Sequence, residues 1–369
     1  MRRTIFVLLM PSLFVAACAG RPEPSTIWPI PDPAPVGREV ELFVATTREM
    51  APFAADGFTA ERAPEPNFAA FTLSVPPDRI SGEINWPKNG QQADPRTDFA
   101  VTRHLKLDKA AFYDRVARAG DNNAGVFVHG YNYSFQEALY RFGQLTTDTQ
   151  ISGAPVLFAW PSAASVLGYV NDREAATYSR DALAALLTTL GNNADDKPVL
   201  VFGHSMGGWL VMEALRQMRI AGEDEALSRL EVVLAAPDID GDVFRAQVGV
   251  IGKMEIPLVI LVSPDDRALG VSSAIAGRRS RLGSVDPTNP RVQAAAQAND
   301  IALVDISSLS ATTGMNHDRF IQLATAYPDL MAELIRGDGQ ATTKGTFILG
   351  SAGDLLTAPV RAVGSVLRQ

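Results

Sequence analysis

One serine of the sequence stands in a pattern that supports nucleophilic catalysis. Residues 201–208 read VFGHSMGG, in which Gly203, Ser205 and Gly207 form G-x-S-x-G. In enzymes with this pattern the serine sits on a sharp turn between a strand and a helix, where its hydroxyl is exposed for attack on an acyl carbon. By chance the pattern occurs in roughly one chain in ten of this length, so a plain serine in a glycine-rich turn is the alternative.

A serine hydroxyl is a weak nucleophile until a neighbouring base takes its proton. Of the four histidines, His317 follows the last predicted strand, so it emerges at the same edge of the sheet as Ser205 and is the predicted base. The other three are predicted to be less suitable. His204 packs under the turn, His129 follows the first parallel strand, and His104 lies in a segment without a clear assignment.

The imidazole of the base needs a carboxylate that fixes its tautomer and stabilises its positive charge. Asp266 follows the fifth of six predicted parallel strands, and Asp238 follows the fourth. Both satisfy the chain order serine, aspartate, histidine. We favour Asp266 and keep Asp238 open; a helix N-cap or an Asx-turn is the alternative role for each.

An oxyanion formed at the acyl carbon needs two N–H donors. The first predicted donor is the backbone N–H of Met206, which follows the serine at the start of a helix. The second is the backbone N–H of Tyr131, after His129 and Gly130, because glycine lets the backbone approach a substrate closely. A plain strand-ending turn is the alternative for this segment.

The elements that must position these residues alternate apolar runs with amphipathic segments, which predicts parallel strands connected by helices. The fold class is therefore α/β, with a mostly parallel central sheet and helices on both faces. Six parallel strands are predicted, at residues 126–128, 156–160, 199–202, 232–235, 258–262 and 302–306. Alternating residues at 40–48 and 71–75 predict antiparallel strands at a sheet edge, whereas 49–70 and 76–100 remain unassigned. Ser134 and Glu137 predict a capping box at a helix start.

The chain ends predict export and a membrane anchor. Residues 1–17 have a basic start and a short apolar run, typical of a signal peptide. Val15, Ala16 and Ala17 precede Cys18, the only cysteine, and resemble a lipobox, with an ordinary secretory signal as the alternative. Ala19 after the cysteine implies, by resemblance to Gram-negative lipoproteins, sorting to the outer membrane, on its periplasmic or surface face.

The predicted domains follow from these segments. Residues 18–37 are proline-rich and predict an extended tether. Residues 38–336 are predicted to form the α/β domain that carries Ser205 and His317, and residues 337–369 a flexible or amphipathic tail. A net charge of -8 and an isoelectric point near 5.1 offer no basic surface for nucleic acid. We expect no metal and no organic cofactor.

The motifs together resemble a bacterial family of α/β hydrolases of unknown function, the DUF900 type. The resemblance covers roughly residues 40–335 and rests on these segments: 126–135, 156–162, 203–208, 236–240, 266–269 and His317. It implies the α/β-hydrolase fold, with Ser205 as nucleophile, His317 as base and an aspartate as the third member. The activity that it implies is esterase-like or lipase-like, without a settled substrate.

The resulting hypothesis is a serine hydrolase that cleaves carboxylic esters of small molecules or lipids. A non-catalytic binding or structural lipoprotein of the envelope is the alternative, and peptidase, thioesterase and acyl-transfer activities stay open. Four aromatic residues are candidate substrate contacts, with core packing as the alternative: Tyr131, Tyr133, Trp160 and Trp209. Residues 267–299 are a predicted entry loop or lid, whose arginines are further candidates with a solvated face as the alternative: Arg278, Arg279 and Arg281.

Overall fold

In the described part of the chain, ten strands form one sheet. A computed structural model describes residues 21–31, 37–88, 90–149, 153–195, 197–326 and 346–348. The strands are β1 (Arg38–Met50), β2 (Phe58–Val75), β3 (Ala100–Leu107), β4 (Ala124–Val128), β5 (Ala154–Ala159), β6 (Val199–His204), β7 (Leu230–Ala235), β8 (Leu258–Val262), β9 (Ile301–Asp305) and β10 (Thr346–Ile348). Their order across the sheet is β10-β9-β8-β7-β6-β4-β5-β1-β2-β3. Among the described strands, only β2 runs antiparallel to its neighbours, so the predicted α/β class is confirmed. The six predicted parallel strands are β4 to β9.

Helices cover both faces of the sheet. They are α1 (Lys109–Gly120), α2 (Phe135–Thr149), α3 (Tyr169–Tyr178), α4 (Arg180–Asn193), α5 (Met206–Ala221), α6 (Asp224–Ser228), α7 (Gly241–Ile251), α8 (Arg267–Ile275), α9 (Pro290–Ala298) and α10 (Arg319–Ala326). In the described part of the chain, none of them is both long and apolar enough to cross a membrane.

The two faces have separate apolar cores, because successive strand residues point to opposite sides. In β6, Val199 and Val201 belong to the core closed by α1, α3 to α7 and α9. Leu200 and Phe202 belong to the core closed by α2 and α10. This burial on both faces explains why β4 to β9 have nearly continuous apolar sequences.

The antiparallel part of the sheet is larger than the sequence predicts. β1 lies between β5 and β2 rather than at an edge, and β2 begins at Phe58, within a segment for which the sequence predicts no element. The register of β1 and β2 shifts between the pairs Thr46↔Asn67 and Arg48↔Arg62. Two prolines, at positions 64 and 66, lie at this irregularity, where a strand tolerates residues that lack an N–H.

The described part of the predicted tether packs on the domain. Ile27 is completely buried, and the hydroxyl of Tyr140 donates to the Thr26 carbonyl at 2.7 Å. The Ile30 N–H donates to the Val101 carbonyl at 2.9 Å. Residues 21–31 are therefore not an extended spacer, because Ile27 and Ile30 are buried against the domain. The predicted signal, Cys18, residues 32–36 and most of the predicted tail lie outside the described residues, although β10 falls within that tail.

Candidate active site

Ser205 occupies the turn between β6 and α5 with a strained backbone. Its φ of 54° and ψ of −121° are rarely adopted by a residue with a side chain. The Ser205 N–H donates to the Ala235 carbonyl of β7 at 2.9 Å, which holds the turn. A Cβ on Gly207 would overlap the carbonyl oxygens of Val128 and His129. Gly207, the second glycine of the motif, is therefore required for close packing of α5 against β4.

The loops after β8 and β9 bring an aspartate and a histidine together. Nδ1 of His317 lies 2.7 Å from Oδ2 of Asp266, whose side chain is completely buried. The other oxygen of Asp266 accepts from the Leu269 N–H at 2.9 Å and caps α8. One carboxylate thus contacts the histidine and caps a helix, with one oxygen for each contact, and its role as the acid of a triad stays a prediction.

Asp238, the alternative acid, lies in a different buried network. Its carboxylate accepts hydrogen bonds from Ser272 Oγ at 2.7 Å and from the Tyr169 hydroxyl at 2.8 Å. Nε of Arg281 lies 3.2 Å from Oδ1 of Asp238. Burial and the neighbouring Asp238 charge raise the pKa of Tyr169 to about 12. Among the described residues Asp238 contacts no histidine, although its N–H donates to the Ser205 carbonyl at 3.1 Å.

An ion pair that the sequence does not predict joins the loop after β8, which carries Asp266, to the segment after β9 that carries His317. Arg319 donates to both oxygens of Asp265, with 2.8 Å between Nη2 and Oδ2. The Asn316 amide donates to the same carboxylate at 3.0 Å, and the Arg267 N–H donates to the Met315 carbonyl at 3.0 Å. Hydrogen bonds from Arg319 lower the pKa of Asp265 to about 2. No sequence signal links these residues, because they lie more than 50 positions apart.

The predicted oxyanion loop lies directly against the serine turn. A Cβ on Gly130 would approach Ser205 Cβ to 3.1 Å and His204 Nδ1 to 2.9 Å, so a side chain at this position would require the His204 ring or the Ser205 turn to move. In the described part of the chain, the Tyr131 N–H donates to no other residue. Met206 is the first residue of α5, and the helix itself leaves the first N–H groups without acceptors. Met206 is thus at the start of the helix and the Tyr131 N–H has no acceptor among the described residues, and the role of both groups in binding an oxyanion stays a prediction.

Asp172 of α3 holds this loop in place, and nothing in the sequence singled it out. Its completely buried carboxylate accepts from the Asn132 N–H at 3.2 Å, from the Ala163 N–H at 2.7 Å and from Ser162 Oγ at 2.6 Å. Asn132 has a left-handed φ of 64°. Asp172 therefore fixes the loop after β4 and the loop after β5 relative to each other.

The two buried histidines near the site are structural. His204 packs under the serine turn, as predicted, and its Nε2 lies 3.2 Å from the His317 carbonyl oxygen. Burial lowers the pKa of His204 well below the usual value, so its ring is neutral. His129 stacks on Trp160, with ring centres 4.9 Å apart, and burial lowers its pKa to about 3. Because Trp160 is completely buried, it belongs to the core rather than to a substrate pocket.

Some of the candidate substrate contacts lie in the core and others on the surface. Arg173 lies over the Trp209 ring at 3.6 Å, so that tryptophan is covered. Within the predicted entry loop, Arg278 and Arg279 are exposed, but Arg281 is buried against Asp238 instead of facing solvent. Across the described residues, no group of three or more histidines, cysteines, aspartates and glutamates is placed to hold a metal ion.

Comparisons with known proteins agree with this architecture. The family model described as "Alpha/beta hydrolase of unknown function (DUF900)" matches residues 106–336, more than half of the chain. The uncharacterized protein alr1448 of Nostoc sp. (strain PCC 7120) is 31% identical over 118 residues, which cover 25% of this chain and 31% of that protein. The chain thus spans about a third of the length of this curated relative.

Two solved structures are more distant. A candidate hydrolase from Agrobacterium vitis S4 has a TM-score of 0.32 at 13% identity, over 75% of this chain and 97% of that one. A structural study of two fungal esterases from Rhizomucor miehei provides a match with a TM-score of 0.33 at 11% identity, over 81% of this chain and 86% of that one. At TM-scores this low, neither structure carries an argument about this chain.

Proposed function

The chain belongs to the DUF900 family of α/β hydrolases of unknown function, and from that premise we propose that it is a serine hydrolase that cleaves carboxylic esters. The observation that carries the proposal is the 2.7 Å contact between His317 Nδ1 and the buried Asp266 carboxylate, in the loops beside the strained Ser205 turn. Structural histidines do not need a buried carboxylate, whereas a catalytic imidazole does.

The proposed reaction proceeds through an acyl-enzyme. With Nδ1–H of His317 bonded to Asp266, Nε2 is the ring nitrogen with a free lone pair, and it takes the proton of Ser205 Oγ as that oxygen attacks the ester carbonyl. The N–H groups of Met206 and Tyr131 stabilise the oxyanion. His317 then protonates the leaving alcohol, and water hydrolyses the acyl-serine with the same base.

Hydrolysis of a water-soluble ester, such as p-nitrophenyl butyrate, tests the proposal. We expect Ser205→Ala and His317→Ala to lower kcat by about 10⁴-fold or more. Ser228→Ala is the matched control, because Ser228 is an exposed serine on α6, and this variant should keep the wild-type rate. A folded wild-type protein without hydrolysis of any ester tested would instead favour the non-catalytic envelope protein.

We also propose that the protein is an outer-membrane lipoprotein acylated at Cys18. Cys18 is the only cysteine of the chain, and it follows small residues at the end of the predicted signal, which supports the proposal. Cells grown with an alkyne-labelled palmitate should label the wild-type protein but not Cys18→Ser. Equal labelling of both proteins, or of neither, would contradict acylation at this residue.

A further inference from the structure

Three exposed apolar side chains form a surface patch on the segment between β5 and the first turn of α3. Val166, Leu167 and Val170 are 72%, 96% and 69% exposed. We call these three residues the apolar tip. Single exposed apolar residues are common on protein surfaces. Three of them within five consecutive positions form an apolar patch, whose exposure to water is unfavourable.

The apolar tip lies next to the proposed active site. The Tyr131 hydroxyl donates to the Ser165 carbonyl at 3.0 Å and also to the Val166 carbonyl. The Tyr131 ring packs against the Tyr169 ring, with ring centres 5.5 Å apart. Because Tyr131 directly follows Gly130, which contacts the Ser205 turn, its side chain connects that turn to the apolar tip.

The start of the described chain is held at the same place. Nη1 of Arg21 donates to Glu137 Oε2 at 2.6 Å and to the Asn132 carbonyl at 3.1 Å, and Nη2 donates to Asn132 Oδ1 at 2.6 Å. Arg21 follows Cys18 by three residues, and three residues of fully extended chain span at most about 11 Å. The backbone of Cys18 therefore lies within that distance of the Arg21 backbone, so a lipid on Cys18 would hold the loop that carries Tyr131 close to a membrane.

We propose that the apolar tip inserts into the lipid bilayer in which the Cys18 acyl chains are anchored, and that the active site takes its ester from the lipids of that bilayer. This inference rests on the proposed function and on the acylation of Cys18. Two independent features support it, namely the exposure of the tip beside the site and the short connection from Cys18 to Arg21. Anchoring this close keeps the tip at a high effective concentration near the membrane.

A fluorescence measurement tests the insertion without using activity. The full acylated chain is reconstituted on vesicles of phosphatidylethanolamine and phosphatidylglycerol, with an environment-sensitive dye on Leu167→Cys. The control carries the dye on Ile220→Cys, which is 56% exposed at the far end of α5, about 20 Å from Ser205. We expect a blue shift and quenching by bilayer-embedded quenchers for the dye at 167 only.

Three results would overturn the proposal. The first is equal, water-like emission from both positions on vesicle-bound protein. The second is a blue shift at position 167 that needs no vesicles and accompanies dimer formation, which would make a second copy of the chain the occupant of the tip. The third is absence of an acyl chain on Cys18. Each of these results leaves the hydrolysis of soluble esters, and hence the proposed function, as a separate question.

A kinetic comparison tests the substrate class. The variant V166S/L167S/V170S should lower the rate on lipid esters in vesicles, relative to the rate on p-nitrophenyl butyrate, by at least tenfold. The control I80S/I220S removes two other exposed apolar side chains and should keep the wild-type ratio. An unchanged ratio for the tip variant would contradict lipid esters of the membrane as the substrate.

Discussion

At the scale of single residues, the two candidate acids differ in what their carboxylates contact. Asp266 contacts His317 and caps α8, whereas Asp238 neutralises Arg281 and accepts from Tyr169 and Ser272. Both side chains are buried, so we expect a substitution at either position to have a measurable effect. For Asp266 the main effect should be on the catalytic rate, and for Asp238 on the folding stability. Catalytic rate and folding stability must therefore be measured separately for each variant.

We predict that Asp266→Asn lowers kcat by about 10⁴-fold, because the imidazole loses the carboxylate that fixes its tautomer. Asp238→Asn leaves Arg281 buried without its counter-ion, and we expect a loss of about 3 to 5 kcal/mol in the free energy of unfolding. Ester hydrolysis and urea unfolding of both variants check these outcomes. A larger loss of kcat in folded Asp238→Asn than in Asp266→Asn would reverse the assignment.

The site residues that the sequence predicted share one property, which is that each carries a local signal. Ser205 stands in a motif, Met206 follows it, and His317 and Asp266 follow predicted strands in the expected order. Asp172 and the Asp265–Arg319 pair carry none, because their roles depend on contacts between distant segments. An aspartate in the first turn of a helix is common, so the sequence does not distinguish Asp172 from others. Its hydrogen bonds to two loops are known only from the structure.

At the scale of secondary structure, the packing of α5 against β4 depends on Gly207. We predict that Gly207→Ala prevents stable folding or displaces the Ser205 turn, since its Cβ would overlap two backbone carbonyl oxygens of β4 and the loop after it. Gly249→Ala is the control, because Gly249 lies in α7 with open space around its Cβ position. That control should gain about 0.5 to 1 kcal/mol of stability from helix propensity. Thermal unfolding of both variants tests the contrast, and equal stabilities would argue against this packing.

The loops after β4 and β5 depend on Asp172. We predict that Asp172→Asn lowers kcat by about 10² to 10³-fold, because the amide nitrogen cannot accept from the loop N–H groups and the Tyr131 donor shifts. Asp181→Asn, at an exposed aspartate of the neighbouring α4, should keep the wild-type kcat. Full activity in Asp172→Asn would show that the loop does not need this anchor.

At the scale of the whole molecule, the buried imidazoles make folding sensitive to pH. Burial lowers the pKa of His129 to about 3 and that of His204 well below the usual value. Below about pH 6.5 the unfolded chain therefore binds protons that the folded chain does not, and the free energy of unfolding falls as the pH falls.

We predict a loss of about 2 kcal/mol per buried imidazole between pH 7 and pH 5. Urea unfolding at several pH values measures it, and His129→Gln should reduce the slope against pH while lowering the stability at pH 7. A free energy of unfolding that does not change between pH 7 and pH 5 would contradict neutral buried histidines.

The sequence predicts strands that are buried on both faces better than strands with irregular pairing. β4 to β9 are buried on both faces and have nearly continuous apolar sequences, which predict them as strands. The first half of β2 was not, because its prolines at an irregular pairing look like a loop. The packing of residues 21–31 was missed because proline-rich segments usually stay extended, and the contacts of Ile27 and Ile30 lie on distant elements.

Labelling with a fluorophosphonate, followed by mass spectrometry of the peptides, tests most directly whether Ser205 is the nucleophile. The proposed function predicts one adduct, on Ser205, that is absent in Ser205→Ala and forms far more slowly in His317→Ala. An adduct on another residue, or no adduct on folded wild-type protein, would contradict it.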